Sequence, residues 1–349
     1  VVQATHSFFL RSRASTTMDC PVVAVVLAGG TGTRLYPASR SDRPKQLLSL
    51  DGDRPLLTRT VDRARFADEV YVLTRERYAE AVREAAPGAA VLVEPAGRDT
   101  GPALTYAAHR IREQVGECVL CCLPSDHHVE GDFAGTMRTA AQTALETRGL
   151  VTVGVEPTRP ATGYGYVEPG LDEDGYFAVE RFVEKPDRAT ARTYVDQHFL
   201  WNAGVFAWTP TAFLDAARET VLGPLVEALA AGDPAGGFAA VESISVDHAV
   251  LEAADDVFVV PAGFAWDDLG AWDALQRVCD RDADGNAVLG EALALDAADC
   301  VLATDGHVSA VGVSDLVVAS YDGHTLVAPL DEAERVREVV ARLRERGQF

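Results

Sequence analysis

The sequence predicts an α/β fold: a mostly parallel sheet doubly wound by helices, followed by a small β-rich C-terminal domain. Three observations carry this. Short apolar runs alternate with helical stretches through the first half, which is the rhythm of βαβ units with right-handed crossovers. The first run, residues 22–28, is apolar throughout and ends in glycines, as a strand buried on both faces does. After Asn286 the composition shifts to short β-type pieces punctuated by Asp-Gly and Gly turns.

In chain order, further strands are expected at residues 70–74, 90–93, 119–123 and 150–155. Helices are expected between them at 56–66, 75–86, 102–115 and 133–147. From about Thr162 to Val260 shorter strands and irregular helices take over, a region suited to shaping a substrate. The β pieces after Asn286 are 288–295, 300–304, 308–312, 316–320 and 325–328, and residues 331–346 read as a closing helix. The expected division is therefore a disordered tail (1–19), an α/β domain (20–282) and a C-terminal domain (283–349). The last has β-helical character without a strict repeat. Ligands of such a sheet gather beyond the carboxyl ends of its strands, which points to the loops after Ala28, Val93 and Leu123.

Composition removes several function classes. The 349 residues carry 53 acidic and 31 basic side chains, a net charge of −22; so acidic a surface excludes nucleic acid as the main partner. No apolar run approaches the roughly 18 residues of a membrane span. The six cysteines lack zinc-site spacing, and Cys118, Cys121 and Cys122 fall in an apolar run, so they read as buried thiols in a reducing, cytoplasmic setting. No secretory leader is read at the start: the apolar patch Phe8, Phe9, Leu10 precedes Arg13 rather than following a basic stretch. Only two of the basic residues are lysines, Lys45 and Lys185. A lysine kept where arginine is the default suggests a need for a compact point charge.

The chemistry begins at Leu27, Ala28, Gly29, Gly30, Thr31, Gly32, Thr33 and Arg34, directly after the first strand. Three glycines among small hydroxyl residues let successive amides face an anion. The spacing matches neither the dinucleotide fingerprint nor the P-loop. Pro44, Lys45 and Gln46 follow a short loop later. Asp126 stands after the fourth strand, and Asp268 lies in the loop 266–272 between two tryptophans. Two carboxylates could hold a hard cation against phosphate oxygens; which of Asp267 and Asp268 faces it stays open. His127 and His128 lack a third ligand and read as structural. Trp201, Trp208, Trp266 and Trp272 read as core.

Residues 27–46 resemble the opening of nucleotide-sugar pyrophosphorylases, most closely mannose-1-phosphate guanylyltransferases. The resemblance continues in order through 94–103 (EPAGRDTGPA), 123–127 (LPSDH), 162–166 (TGYGY), 182–186 (FVEKP), 200–206 (LWNAGVF) and 266–272 (WDDLGAW). It implies a Rossmann-like nucleotidyltransferase making GDP-mannose and pyrophosphate from GTP and mannose 1-phosphate with Mg²⁺. Arg34 and Lys45 would then be catalytic cations. Leu27, Ala28, Gly29, Gly30, Gly32 and Thr33 would hold the nucleotide, with Arg98, Thr100, Gly101 and Pro102 on the base side. Gly163, Glu184, Lys185 and Asn202 would hold the sugar phosphate, and Asp126 and Asp268 the metal. By the same analogy the chain would be a dimer. It departs from the family's commoner pattern at Asp99 (for Asn), Gly101 (for Ala), Ala203 (for Ser), Leu269 (for Val) and Ala271 (for Ser).

Overall fold

A computed structural model of the chain describes residues 20–50 and 52–349; the expected tail, 1–19, lies outside the described residues. The first half runs β1 (Val22–Leu27), α1 (Leu56–Arg63), β2 (Glu69–Arg75), α2 (Ala79–Ala85), β3 (Ala90–Glu94), α3 (Thr100–Val115), β4 (Val119–Pro124), β5 (His128–Gly131), α4 (Phe133–Thr147) and β6 (Leu150–Val155). The middle adds β7 (Tyr166–Asp172), β8 (Phe177–Val183), α5 (Arg188–Asp196), β9 (Leu200–Trp208), α6 (Pro210–Arg218), α7 (Gly223–Ala230), α8 (Pro234–Ala240), β10 (Val257–Pro261), β11 (Phe264–Asp267) and α9 (Leu275–Val278). The chain closes with β12 (Ala287–Leu295), β13 (Val301–Val311), β14 (Leu316–Tyr321), β15 (His324–Pro329) and α10 (Val336–Glu345).

Nine strands form the main sheet in the order β3-β2-β1-β4-β9-β6-β10-β8-β7. Its left half is parallel, and β9 enters antiparallel between β4 and β6. Alternation along β1 explains the double winding. Val22, Ala24 and Val26 join a core with Leu57, Val82 and Met137 from α1, α2 and α4. Val23 and Val25 join the opposite core with Leu104 and Ile111 of α3 and Phe213 of α6. The three cysteines 118, 121 and 122 are buried thiols, as expected.

The structure corrects three boundaries. Arg75 ends β2 rather than opening a helix, because it pairs with Glu94 across the β2–β3 ladder; a 3-10 turn, Glu76–Tyr78, intervenes before α2. The pieces expected at 300–304 and 308–312 are one strand, β13. The intervening residues slip past β12 at a register shift beside Gly290, whose φ of 98° only glycine adopts readily. The closing helix starts late, since Leu330–Arg335 is a 3-10 turn.

In the C-terminal domain β12, β13 and β14 are parallel, Ala287 lying against Val301 and Val301 against Val317. Short corners join these strands, where a parallel pair ordinarily needs a crossover of a dozen residues or more; this is solenoid coiling. The domain is not loosely tethered. Val301, Val317, Val336 and Val340 share a core with Leu35, Tyr36, Leu269 and Trp272, and the Trp272 indole donates to the Tyr36 carbonyl at 2.9 Å. The C-terminal coil thereby braces the segment that follows the glycine turn.

Candidate active site

The strand order reverses at β1, with β2 on one side and β4 on the other, so a crevice opens at their carboxyl ends. The glycine turn lies there. The Ala28 carbonyl accepts from Gln46 Nε2 at 2.8 Å and from the Thr74 hydroxyl at 2.9 Å, and the Lys45 amide donates to the Thr31 carbonyl. Gly32 has φ 69°, and a Cβ on it would fall 2.3 Å from the Lys45 Cβ. Glycine is what lets the lysine stem pass. Lys45 is only 4% exposed; its ammonium pairs with Asp126 Oδ2 at 2.8 Å and donates to the Asp268 carbonyl at 2.7 Å. Arg34 is half-buried and has no side-chain partner among the described residues; its charge acts on Asp268.

Asp126 and Asp268 both stay ionised. Burial alone would raise them, but the Lys45 ammonium, the largest opposing influence, more than offsets it and holds both below the usual carboxylate range. Asp268 Oδ1 accepts from the Tyr164 hydroxyl at 2.9 Å and the Gly270 amide at 3.0 Å. Its Oδ2 has no hydrogen bond among the described residues, and a Cβ on Gly270 would crowd that oxygen at 2.5 Å. Asp267 turns the other way: Arg277 Nε reaches its Oδ2 at 2.7 Å and the Leu269 amide its Oδ1 at 2.9 Å. The alternative left open by the sequence is decided by this ion pair; Asp268 is the aspartate in the crevice. His127 is pulled below its ordinary value by burial, and its Nδ1 accepts from the Trp266 indole at 3.0 Å, so its proton sits on Nε2. Trp201, Trp208 and Trp272 are core, whereas Trp266 is half-buried at the site's edge.

Tyr164 was not singled out from the sequence. It stacks edge-on against Trp201 and Trp266, and Arg159 donates to its hydroxyl at 3.1 Å. Burial and the Asp268 carboxylate raise its pKa, so the hydroxyl remains a donor that orients Asp268. The only signal was its place between two glycines.

A second cluster gathers Glu184, Lys185 and Asn202. The Glu184 side chain is 8% exposed and pairs with the exposed Lys185 ammonium. The Asn202 carboxamide donates to Asp247 Oδ1 at 2.7 Å and accepts from the Thr152 hydroxyl at 2.8 Å. Asp247, another residue without a sequence signal, is pushed up to about 6 by burial and then by Glu184. Among the described residues, a Cβ on Gly163 would meet only Glu334 Oε1, at 3.7 Å. It is Gly165 whose missing Cβ leaves room here, since one would lie 2.6 Å from Glu184 Oε2.

The base-side residues expected by resemblance lie at the β3–α3 junction. Asp99, at φ 69°, caps the Thr100 amide at 2.8 Å. The Arg98 carbonyl accepts from the Ile244 amide, Gly101 donates to the Ile244 carbonyl, and the Thr100 hydroxyl accepts from the Val246 amide. A Cβ on Gly101 would press on the Ile244 carbonyl at 2.9 Å, which accounts for glycine there. Pro102 is buried in the first turn of α3. Glu94, at the end of β3, is 6% exposed, and burial pushes its carboxyl up from 4.5 to about 7 despite Arg75. A raised acid binds its proton more tightly folded than unfolded. Stability is therefore full below about pH 4.5 and is lost as pH rises to about 7, by on the order of 3 kcal/mol. Glu94→Gln is expected to flatten that part of the stability–pH curve in denaturant titrations at pH 5 and 8; an unchanged slope would refute the assignment.

A sequence-family model described as nucleotidyl transferase matches residues 23–285. The chain belongs to that family. A second model, described as a MannoseP isomerase/GMP-like beta-helix domain, matches residues 290–343. The xanthan biosynthesis protein XanB of Xanthomonas campestris pv. campestris is 36% identical, over 94% of this chain and 74% of its own length. The mannose-1-phosphate guanylyltransferase of Salmonella montevideo is 33% identical, over 93% and 74%. Among solved structures, a Thermus thermophilus protein described as mannose-1-phosphate geranyltransferase superposes with a TM-score of 0.87 at 39% identity, covering 93% of this chain and 99% of that one. The family's α/β sheet and β-rich tail are the architecture described above, and among the described residues no helix is long and apolar enough to cross a membrane.

Proposed function

We propose that the chain catalyses GTP + α-D-mannose 1-phosphate → GDP-mannose + pyrophosphate, with Asp126, Asp268, Lys45 and Arg34 at the reacting phosphates. The observation that carries this is the buried Lys45 ammonium set between the Asp126 carboxylate and the Asp268 carbonyl beneath the glycine turn. The substrate pair is supported by the likeness to proteins named mannose-1-phosphate guanylyltransferase.

In the reaction, an oxygen of the sugar phosphate forms a bond to the α-phosphorus, and the bond from that phosphorus to the bridging oxygen of the leaving group breaks in line. The electron pair departs with pyrophosphate. The chain must hold two anions together and balance charge as it builds on the leaving group, which calls for fixed cations and amides more than a base. Amides of Gly29, Gly30, Gly32 and Thr33 face the triphosphate, while Lys45 and Arg34 lower the repulsion between reactants. Glu184 accepts sugar hydroxyls, the free N–H of Asn202 donates to one, and Lys185 meets the sugar phosphate.

The residues present fit Mg²⁺. Asp126 and Asp268 are both ionised and both feel the Lys45 ammonium, and Asp268 Oδ2 has no hydrogen bond among the described residues. That is the donor set of a hard cation completed by substrate oxygens. When bound, Mg²⁺ would supply charge neutralisation for the phosphate oxygens. The reading includes a cytoplasmic location and a dimer, the latter checked by mass in solution.

The test is magnesium-dependent pyrophosphate release across nucleotide and sugar phosphate pairs, with product identified by chromatography. GTP with mannose 1-phosphate is expected to give the highest kcat/KM. Preferential turnover of dTTP with glucose 1-phosphate would overturn the substrates, and ligand binding without any pyrophosphate release would make the protein a sensor.

A further inference from the structure

His127 is held at every polar point except one ring nitrogen. Its carbonyl accepts from Arg63 Nη2 at 3.0 Å, and its Nδ1 accepts from the Trp266 indole at 3.0 Å. The Trp266 ring meets the imidazole edge-on, with centroids 5.4 Å apart, and is itself packed against Tyr164 and Trp201. An indole N–H only donates, so Nδ1 is unprotonated and the proton of the neutral ring sits on Nε2. That N–H has no hydrogen-bond partner among the described residues.

The ring belongs to the wall of the crevice. His127 follows Asp126 beyond the carboxyl end of β4, within electrostatic reach of Asp126, Lys45 and Asp268. On its other side, a Cβ on Gly204 would stand 4.0 Å from the imidazole Cε1. Gly204 lies in β9, and its amide donates to Asn202 Oδ1 at 3.1 Å. The imidazole therefore stands between the two crevice aspartates and the strand that carries the sugar-side asparagine, where the two reactants would meet.

A ring whose tautomer is fixed by a dedicated indole, and whose remaining N–H is left unpaired, is a preorganised donor awaiting an acceptor. Phosphate oxygens are acceptors of the right kind. We infer that His127 is a further catalytic residue, donating Nε2–H to a phosphate oxygen at the junction of the sugar phosphate and the nucleotide. This rests on the nucleotidyl transfer proposed above. Because Trp266 rather than the ligand sets the tautomer, the donor is in place before substrate arrives and needs no reorganisation as charge redistributes over the phosphate oxygens. The sequence reads His127 as structural for want of a third metal ligand; a hydrogen-bond donor requires none.

The experiment has two readouts. Proton–nitrogen correlation NMR of the wild-type imidazoles, with the His127 signals assigned by their loss in His127→Asn, is expected to show the Nε2–H tautomer. Mannose 1-phosphate alone or GTP alone is expected to shift Nε2, and whichever does so names the phosphate it meets. The Nδ1–H tautomer, or a shift with neither compound, would overturn the inference. Kinetics then compare two variants. His127→Asn keeps an acceptor near the Nδ1 position for Trp266 but leaves the Nε2 position empty, whereas His127→Gln reaches that position with an N–H. The value of kcat is expected to fall on the order of 10²-fold in His127→Asn and to stay within about 10-fold of wild type in His127→Gln, with thermal melts as the folding check. A merely structural histidine would give the opposite order, which would equally overturn the inference. If wild type releases no pyrophosphate from GTP and mannose 1-phosphate yet the Nε2 signal shifts, the proposed reaction fails and the phosphate contact stands. If turnover is as proposed and His127→Asn is as fast as wild type, the reverse holds.

Discussion

Lys45→Met is expected to lower kcat on the order of 10³-fold while the protein stays folded. A fixed charge aimed at the reacting phosphates acts in a partly desolvated crevice, where losing one such group costs about 10² to 10³. Here the same ammonium also balances Asp126 and Asp268. Without it both carboxylates lose their principal cation and their pKa values rise, so the acid limb of the pH–rate profile moves upward. Arginine is not expected to rescue. The Lys45 stem lies against the backbone at Gly32, where not even a methyl fits, and a planar guanidinium does not replace a compact charge. Steady-state pyrophosphate release, with circular dichroism as the folding check, decides; a variant retaining a tenth of wild-type turnover would remove Lys45 from the reacting centre.

The adjacent aspartates should part company. Asp268→Asn is expected to reduce magnesium-dependent turnover on the order of 10²- to 10³-fold and to raise the magnesium concentration needed for half-maximal rate, with little change in stability. Asp267→Asn is expected to do the opposite. It takes a buried carboxylate from Arg277, which is partly exposed and keeps Asp273 as a second partner, so the loss is about 1 to 2 kcal/mol. Its metal dependence should stay near wild type. The pair of variants, read by thermal melts and metal titrations, would contradict this placement if their behaviours were exchanged.

Much of the architecture was legible because it is written locally. The apolar runs of β1, β4 and β6 are period-free and short, and the glycine turn follows β1 without a gap. Boundaries failed where a side chain found a distant partner: Arg75 stays in β2 because Glu94 lies across the ladder. Gly163 and Gly165 look alike in sequence, yet only Gly165 abuts Glu184. Asp247 gave no signal, and Glu94 stood out only as the first residue of the 94–103 block, since a carboxylate's role depends on what surrounds it once buried. Gly101 departs from the commoner pattern in a way its contact with Ile244 explains. For Asp99, Ala203, Leu269 and Ala271 nothing in the structure explains the departure.

By itself the sequence determined the alternation of strand and helix, the anion-facing turn, and the scarcity of lysine that marks Lys45. These are properties of neighbouring residues and of composition, and they survive without a fold. Only the tertiary structure decided which of two adjacent aspartates faces the crevice, and that Lys45 meets a residue 223 positions away. The side-chain direction of Asp267 is set by Arg277, and that of Asp268 by Tyr164 and Gly270. Such contacts come from packing between distant segments, which no window along the chain contains.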